Sequence, residues 1–193
     1  GNQGADVRLE AANRYYNQFK GTSGGNSSST NAEKNSSENI SDAYATWKQT
    51  DERWCNLRLS NDHHSGDTVY NSGCFATSLC VLAAYSGAES KDESVFNPAI
   101  GIPKLNFYSG SLLAQESVSK LGDGSLTWEK DISCTSKEDV INEVKNHVSD
   151  GYFYVIHVTG HFIPVVGVTD NDILINDVGR KGDVQTLSNY LAN

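Results

Sequence analysis

The sequence predicts an α+β domain: helices occupy the first part of its globular region and antiparallel strands close it. Three observations carry that prediction. Apolar residues recur at helical spacing from Cys74 to a stop at Gly87 and again over 137–148, whereas 152–177 holds three apolar runs separated by two short turns. With 193 residues and 37% apolar content, the chain is long enough for one ordinary domain of roughly 150 residues with its own core.

Taken in order, residues 5–20 carry Val7, Leu9, Ala11, Ala12, Tyr15, Tyr16 and Phe19 at a loosely helical spacing, too short to fold alone. Residues 1–20 are therefore expected to be a helical stub or the end of an upstream domain. Residues 21–41 hold seven Ser, four Asn, three Gly and two Thr, almost nothing that burial would stabilise, and read as a flexible linker. The globular domain is expected over 42–193.

Within it, Gly73 precedes a helix in which Phe75, Leu79, Leu82 and Ala83 share a face. A second helix is expected over 111–121, ending at Gly122. A third is expected over 137–148, with Ser136 as N-cap, Asp139 in the capping-box position and Gly151 beyond its end. The runs 152–158, 161–168 and 172–177 are apolar on both faces, as a covered sheet requires. Thr159-Gly160 and Thr169-Asp170-Asn171 supply the turns of a meander. Pro164 donates no ladder hydrogen bond and so implies an edge or a bulge.

Fifteen Lys and Arg against 24 Asp and Glu give −9. Residues 1–41 hold four of each sign, so the rest of the chain carries all of that charge. A domain this acidic repels nucleic-acid phosphates and anionic lipid surfaces, and no stretch reaches the ~18 apolar residues of a membrane span. Glycan, peptide or cationic partners remain. The chain contains no Met, which suggests a processed product, and the Ser/Asn-rich tract suits a secreted protein whose module is tethered to a wall- or surface-binding one.

Cys55, Cys74, Cys80 and Cys134 show neither a CxxC pair nor regular spacing. They suggest no zinc site and at most one disulfide among Cys55, Cys80 and Cys134. A helix N-terminus favours a thiolate through its unpaired N–H groups, and Cys74 is the cysteine so placed. Cys80, about 240° further round the same helix, points to the core. A nucleophilic cysteine also needs an imidazole and a group that orients it. His161 begins one strand and Asp177 ends the next. A three-residue loop over 169–171 puts Val168 opposite Asp172 and Asp177 opposite Ile163, diagonal to His161 on one face. A two-residue loop would separate them. His157 on the neighbouring strand is the alternative base.

These residues resemble the papain-like cysteine peptidases, in the branch containing the double-glycine (bacteriocin leader) peptidases and their secreted relatives. Gln49-Thr50-Asp51-Glu52-Arg53-Trp54 is similar to the family's Q-x-D-x-x-W segment. Gly73-Cys74 through Ala76-Thr77-Ser78-Leu79 is similar to its nucleophile helix. Gly160-His161-Phe162, Val165-Val166-Gly167 and Ile175-Asn176-Asp177 resemble its G-H-F-x-V-V-x-G and I-N-D-P segments. The resemblance implies a papain-like fold in which the helical half carries the nucleophile Cys74 and the sheet carries the base His161 and its orienting Asp177. Gln49 would help the Cys74 backbone N–H bind the oxyanion.

It further implies a secreted or surface-attached enzyme of a Gram-positive bacterium, a monomer acting without a cofactor on a peptide or peptidoglycan-peptide substrate. A cell-wall amidase or peptide acyltransferase using the same nucleophile, and a catalytically silent binding module, are the other readings. Three features depart from the family pattern: Phe75 stands where a small residue is usual, Val178 replaces Pro, and a polar insertion over 61–67 separates Gln49 from Cys74. Asn71 is a substitute donor should the insertion displace Gln49. Asp62, His63, His64 and Asp67 in that insertion are metal-ligand types, but no distant His or Cys set completes a site.

Overall fold

The computed structural model describes residues 15–21, 40–59, 66–109 and 111–193. Its centre is a six-stranded antiparallel sheet in the order β4-β1-β5-β6-β7-β8. The strands are β1 (Tyr15–Gly21), β4 (Leu126–Ser133), β5 (Tyr152–Val158), β6 (His161–Val168), β7 (Ile173–Ile175) and β8 (Gln185–Thr186). A small separate ladder pairs β2 (Phe107–Ser109) with β3 (Leu112–Leu113). The class is the expected α+β.

Each face of the sheet covers a core, and the strands alternate between the two. Val155 of β5 and Val166 of β6 pack with helix α1 (Cys74–Tyr85), while Tyr154, Ile156, Ile163 and Val165 pack with α2 (Lys137–His147) and α3 (Leu187–Ala192). Helix α1 is buried from Ala76 to Ala84, and so is apolar all round, as a central helix must be. A turn at Val69–Ser72 feeds into it through Gly73, where a Cβ would stand 2.4 Å from the Val69 carbonyl oxygen. Ser136 caps α2 by accepting from the Asp139 N–H, and the Asp139 carboxylate accepts in return from the Thr135 N–H. Trp47 and Trp54 are core residues, edge to face at 6.4 Å.

Several expectations require correction. Residues 15–21 are a strand between β4 and β5, so the expected stub at 1–20 contributes to the sheet. Of the residues that set its apparent helical spacing, Tyr15, Tyr16 and Phe19 belong to this strand, and Val7, Leu9, Ala11 and Ala12 lie outside those described. Most of the expected linker, 22–39, lies outside them too. Residues 111–121 form no α-helix; β3 is followed by a 3-10 segment, Gln115–Lys120. Strand β4 is an addition to the sequence reading. Pro164 lies in β6, an interior strand, opposite Val155. Its carbonyl accepts from the Asn176 N–H beyond the end of β7. Its missing N–H faces that same side, where the ladder stops, so the proline costs the sheet little. The four cysteines are all free. No helix among the described residues is long and apolar enough to cross a membrane.

The register between β6 and β7 matters most for the site. The turn covers four residues, with Val168 opposite Ile173 rather than Asp172. A bulge between Val165 and Gly167 then returns the pairing to Val165 opposite Ile175. The bulge therefore restores the register that a three-residue loop would have produced.

Phe19 of β1 is fully buried, so Phe19→Ala should lower the unfolding free energy by about 3–5 kcal/mol in urea titration. A loss below about 1 kcal/mol would mean that β1 is not an integral strand.

Candidate active site

Cys74 is the first residue of α1, and His161 is the first of β6. Contact between α1 and the sheet brings them together. The His161 imidazole Nε2 lies 2.7 Å from Asp177 Oδ1 and hydrogen-bonds it. The Cys74 thiol is the imidazole's other neighbour and favours its charged form. With Nε2 committed to the carboxylate, Nδ1 is the ring nitrogen that Asp177 leaves free for the thiol. The Ser78 hydroxyl donates to the Cys74 carbonyl oxygen at 2.7 Å and lies 3.3 Å from that of Phe162, joining the helix's first turn to β6.

Asp177 is buried, and its Oδ1 also accepts from the Gly179 N–H at 3.0 Å. Burial opposes its ionisation, but the bonds from His161 and Gly179 and the nearby Arg180 guanidinium hold its carboxyl below the usual carboxylate range. Burial likewise opposes the imidazolium of His161, and the bond to Asp177 together with the neighbouring Cys74 more than offsets it, raising His161 to about 9. Gly179 is packed against the ring: a Cβ there would stand 2.5 Å from His161 Cε1.

Gln49 reaches the same region. Its backbone N–H donates to the Val178 carbonyl at 2.8 Å, beside Asp177, and its side-chain Nε2 donates to the Tyr70 carbonyl at 2.8 Å, four residues before Cys74. An amide nitrogen carries two hydrogens, so one remains for a second acceptor. Asn71 is exposed on the turn that precedes α1. His157, the alternative base, is stacked on Phe162 at 4.3 Å. Burial lowers its pKa, Asp131 opposes that shift and His161 adds to it. The contacts expected of a base thus fall to His161.

Sequence reading passed over two supports. Lys48, buried beside Gln49, donates to Asn176 Oδ1 and, at 2.9 Å, to the Asp177 carbonyl oxygen. Burial pulls its ammonium down to about 8 although Asp177 and Asp183 favour the charge. Asn176 in turn donates to the carbonyls of Tyr44 and Trp47. A lysine next to the glutamine was the available signal; for Gly179 there was none. Asp62, His63 and His64 lie outside the described residues, among which no cluster of three or more ligand-type side chains is placed to hold a metal.

Cys74 opens onto a cleft of about 210 Å³ whose walls include Phe75, Phe162, Leu112 and Leu113. Phe75 and Phe162 stack at 4.1 Å, nearly parallel. A thiol beside an imidazole, an imidazole bonded to a carboxylate, and an open cleft on the sulfur side are the parts that nucleophilic attack on a carbonyl requires. Comparison of this chain with protein-family models, curated proteins and solved structures found no match.

A histidine whose pKa is raised on folding stabilises the protein fully below its unfolded value. That contribution is lost as pH rises through the folded value, here between about 6.5 and about 9. NMR titration of the imidazole should place the His161 midpoint near 9 and that of His157 below the ordinary range. Gly179→Ala should displace the ring from Asp177 and lower the His161 midpoint. An unchanged midpoint in that variant would contradict the packing described.

Proposed function

We infer that this chain is a cysteine hydrolase of papain-like architecture that cleaves a peptide amide through an acyl-enzyme on Cys74. The observation that carries the reading is the grouping of Cys74, at the start of α1, with a His161 imidazole that is hydrogen-bonded to the buried Asp177. Its order along the sequence and its division between helix and sheet match the resemblance noted above.

In the proposed reaction the Cys74 proton is held on His161 as an imidazolium, in keeping with its raised pKa, and the thiolate attacks the scissile carbonyl carbon to give a tetrahedral oxyanion. The imidazolium then protonates the leaving amine as the C–N bond breaks, producing a thioester and a free amine. Water, deprotonated by the neutral imidazole, hydrolyses the thioester and returns the thiol. Asp177 keeps the ring in position and stabilises its cationic form. Gln49 is assigned to the oxyanion, with the Cys74 N–H at the start of α1 as the second donor.

A screen of peptides and muropeptides should find hydrolysis that disappears in Cys74→Ala and nearly disappears in His161→Ala, because base and nucleophile act as a unit. Substantial turnover by Cys74→Ala would overturn the mechanism. An oxyanion donor acts only as charge develops, so Gln49→Ala should lower kcat by roughly 10- to 1,000-fold. Iodoacetamide alkylation of Cys74 passes through no oxyanion, so its rate should hold in Gln49→Ala and collapse in His161→Ala. If both reactions fall together in Gln49→Ala, the glutamine is structural and Asn71 is the next residue to test.

A further inference from the structure

The cleft that exposes the nucleophile also contains a carboxylate for which the proposed reaction has no use. Asp131 lines it together with Cys74, Phe75, Phe162 and Leu112. Its placement follows from an irregularity in the sheet. Gln18 of β1 pairs with Lys130 and Phe19 with Trp128, leaving Glu129 as an extra residue in β4. Ile132, beyond this bulge, packs in the core on the α2 side, so its neighbour Asp131 points to the α1 side, where Cys74 lies.

The surroundings are those of an amphipathic ligand. The stacked rings of Phe75 and Phe162 give the cleft an apolar wall, and Leu112 leaves 64% of its surface uncovered. Among the described residues no lysine or arginine pairs with Asp131. Asp131 also acts on His157, whose pKa burial lowers against the pull of that carboxylate. A chain with a net charge of −9 adds a long-range field of the same sign.

The geometry points to a selectivity pocket for a long cationic side chain, lysine or arginine in type, next to the scissile amide, with its methylene stem on Phe75, Phe162 and Leu112 and its cation on Asp131. This assignment deepens the cysteine-hydrolase reading and rests on it. Long basic side chains satisfy both halves of such a pocket, because their stems bury against apolar surface while their heads stay at a polar rim. An acidic substrate side chain would meet like charge, and a short apolar one would leave the carboxylate unused.

Short peptidyl chloromethyl ketones test this whatever the natural substrate is. The Cys74 sulfur displaces chloride to form a thioether, and the attachment site is read by mass spectrometry. Lysine is compared with norleucine, its isostere without the ammonium group, at each of the three positions preceding the ketone. At one position the lysine reagent should inactivate about tenfold faster at low salt, the factor expected of one charge-assisted contact. That ratio should fall towards one in Asp131→Asn and shrink as salt is raised.

Equal rates at all three positions, or a lysine preference that persists in Asp131→Asn, would overturn the pocket assignment while leaving the nucleophile in place. If neither the ketones nor iodoacetamide modify Cys74, the cysteine-hydrolase reading falls, and the pocket with it.

Discussion

The register of β6 against β7 decides whether this molecule has a site at all. Side chains alternate across a strand, so a shift of one residue moves Asp177 to the opposite face from His161. Beside the turn, Val168 pairs with Ile173; continued unbroken, that register would put Asp177 opposite Pro164 and away from the imidazole. The bulge between Val165 and Gly167 removes the offset, and the Asn176 N–H then meets the Pro164 carbonyl. The 2.7 Å contact between His161 and Asp177 depends on that one extra residue. Bulges next to functional residues commonly re-aim side chains in this way.

The second half of the site is held by a helix with little freedom to move. Nine consecutive residues of α1, Ala76 to Ala84, are buried, so the body of the helix behind the half-buried Cys74 and Phe75 is fixed by packing on all sides. Ser78 ties its first turn to β6, and the stacked series Phe75, Phe162 and His157 ties it to β5. On the far side Lys48 and Asn176 anchor the strand end that carries Asp177. Thiol, imidazole and carboxylate thus sit on separate elements, each locked by its own contacts. Such pre-organisation lets a charge-separated pair form without rearrangement.

Much of this was legible in the sequence where local signals agreed. Helix α1 had its apolar face, Gly73 and Gly87; α2 had Ser136 and Asp139; β5, β6 and β7 were uninterrupted apolar runs. Cys74, His161 and Asp177 were placed together by that reading, although the agreement for Asp177 came from two offsetting departures, a longer turn and a bulge. Strand β1 was not legible because it joins the sheet only through pairing with β4 and β5, contacts more than a hundred residues distant along the chain. Strand β4 was hidden by Glu129, Lys130 and Asp131: charges suit the edge it occupies, and the bulge breaks its alternation. The closeness of Gly179 to the imidazole is a tertiary fact without a local signature.

The central claim is that Cys74 forms an acyl-enzyme, and the most direct measurement is acylation by an activated p-nitrophenyl ester, quenched in acid and mapped by peptide mass spectrometry. The expected result is a burst of nitrophenolate and an acyl group on Cys74 that forms quickly in the wild type, far more slowly in His161→Ala and not at all in Cys74→Ala. Acyl groups scattered over lysines at rates equal in all three proteins, with Cys74 unmodified, would contradict it.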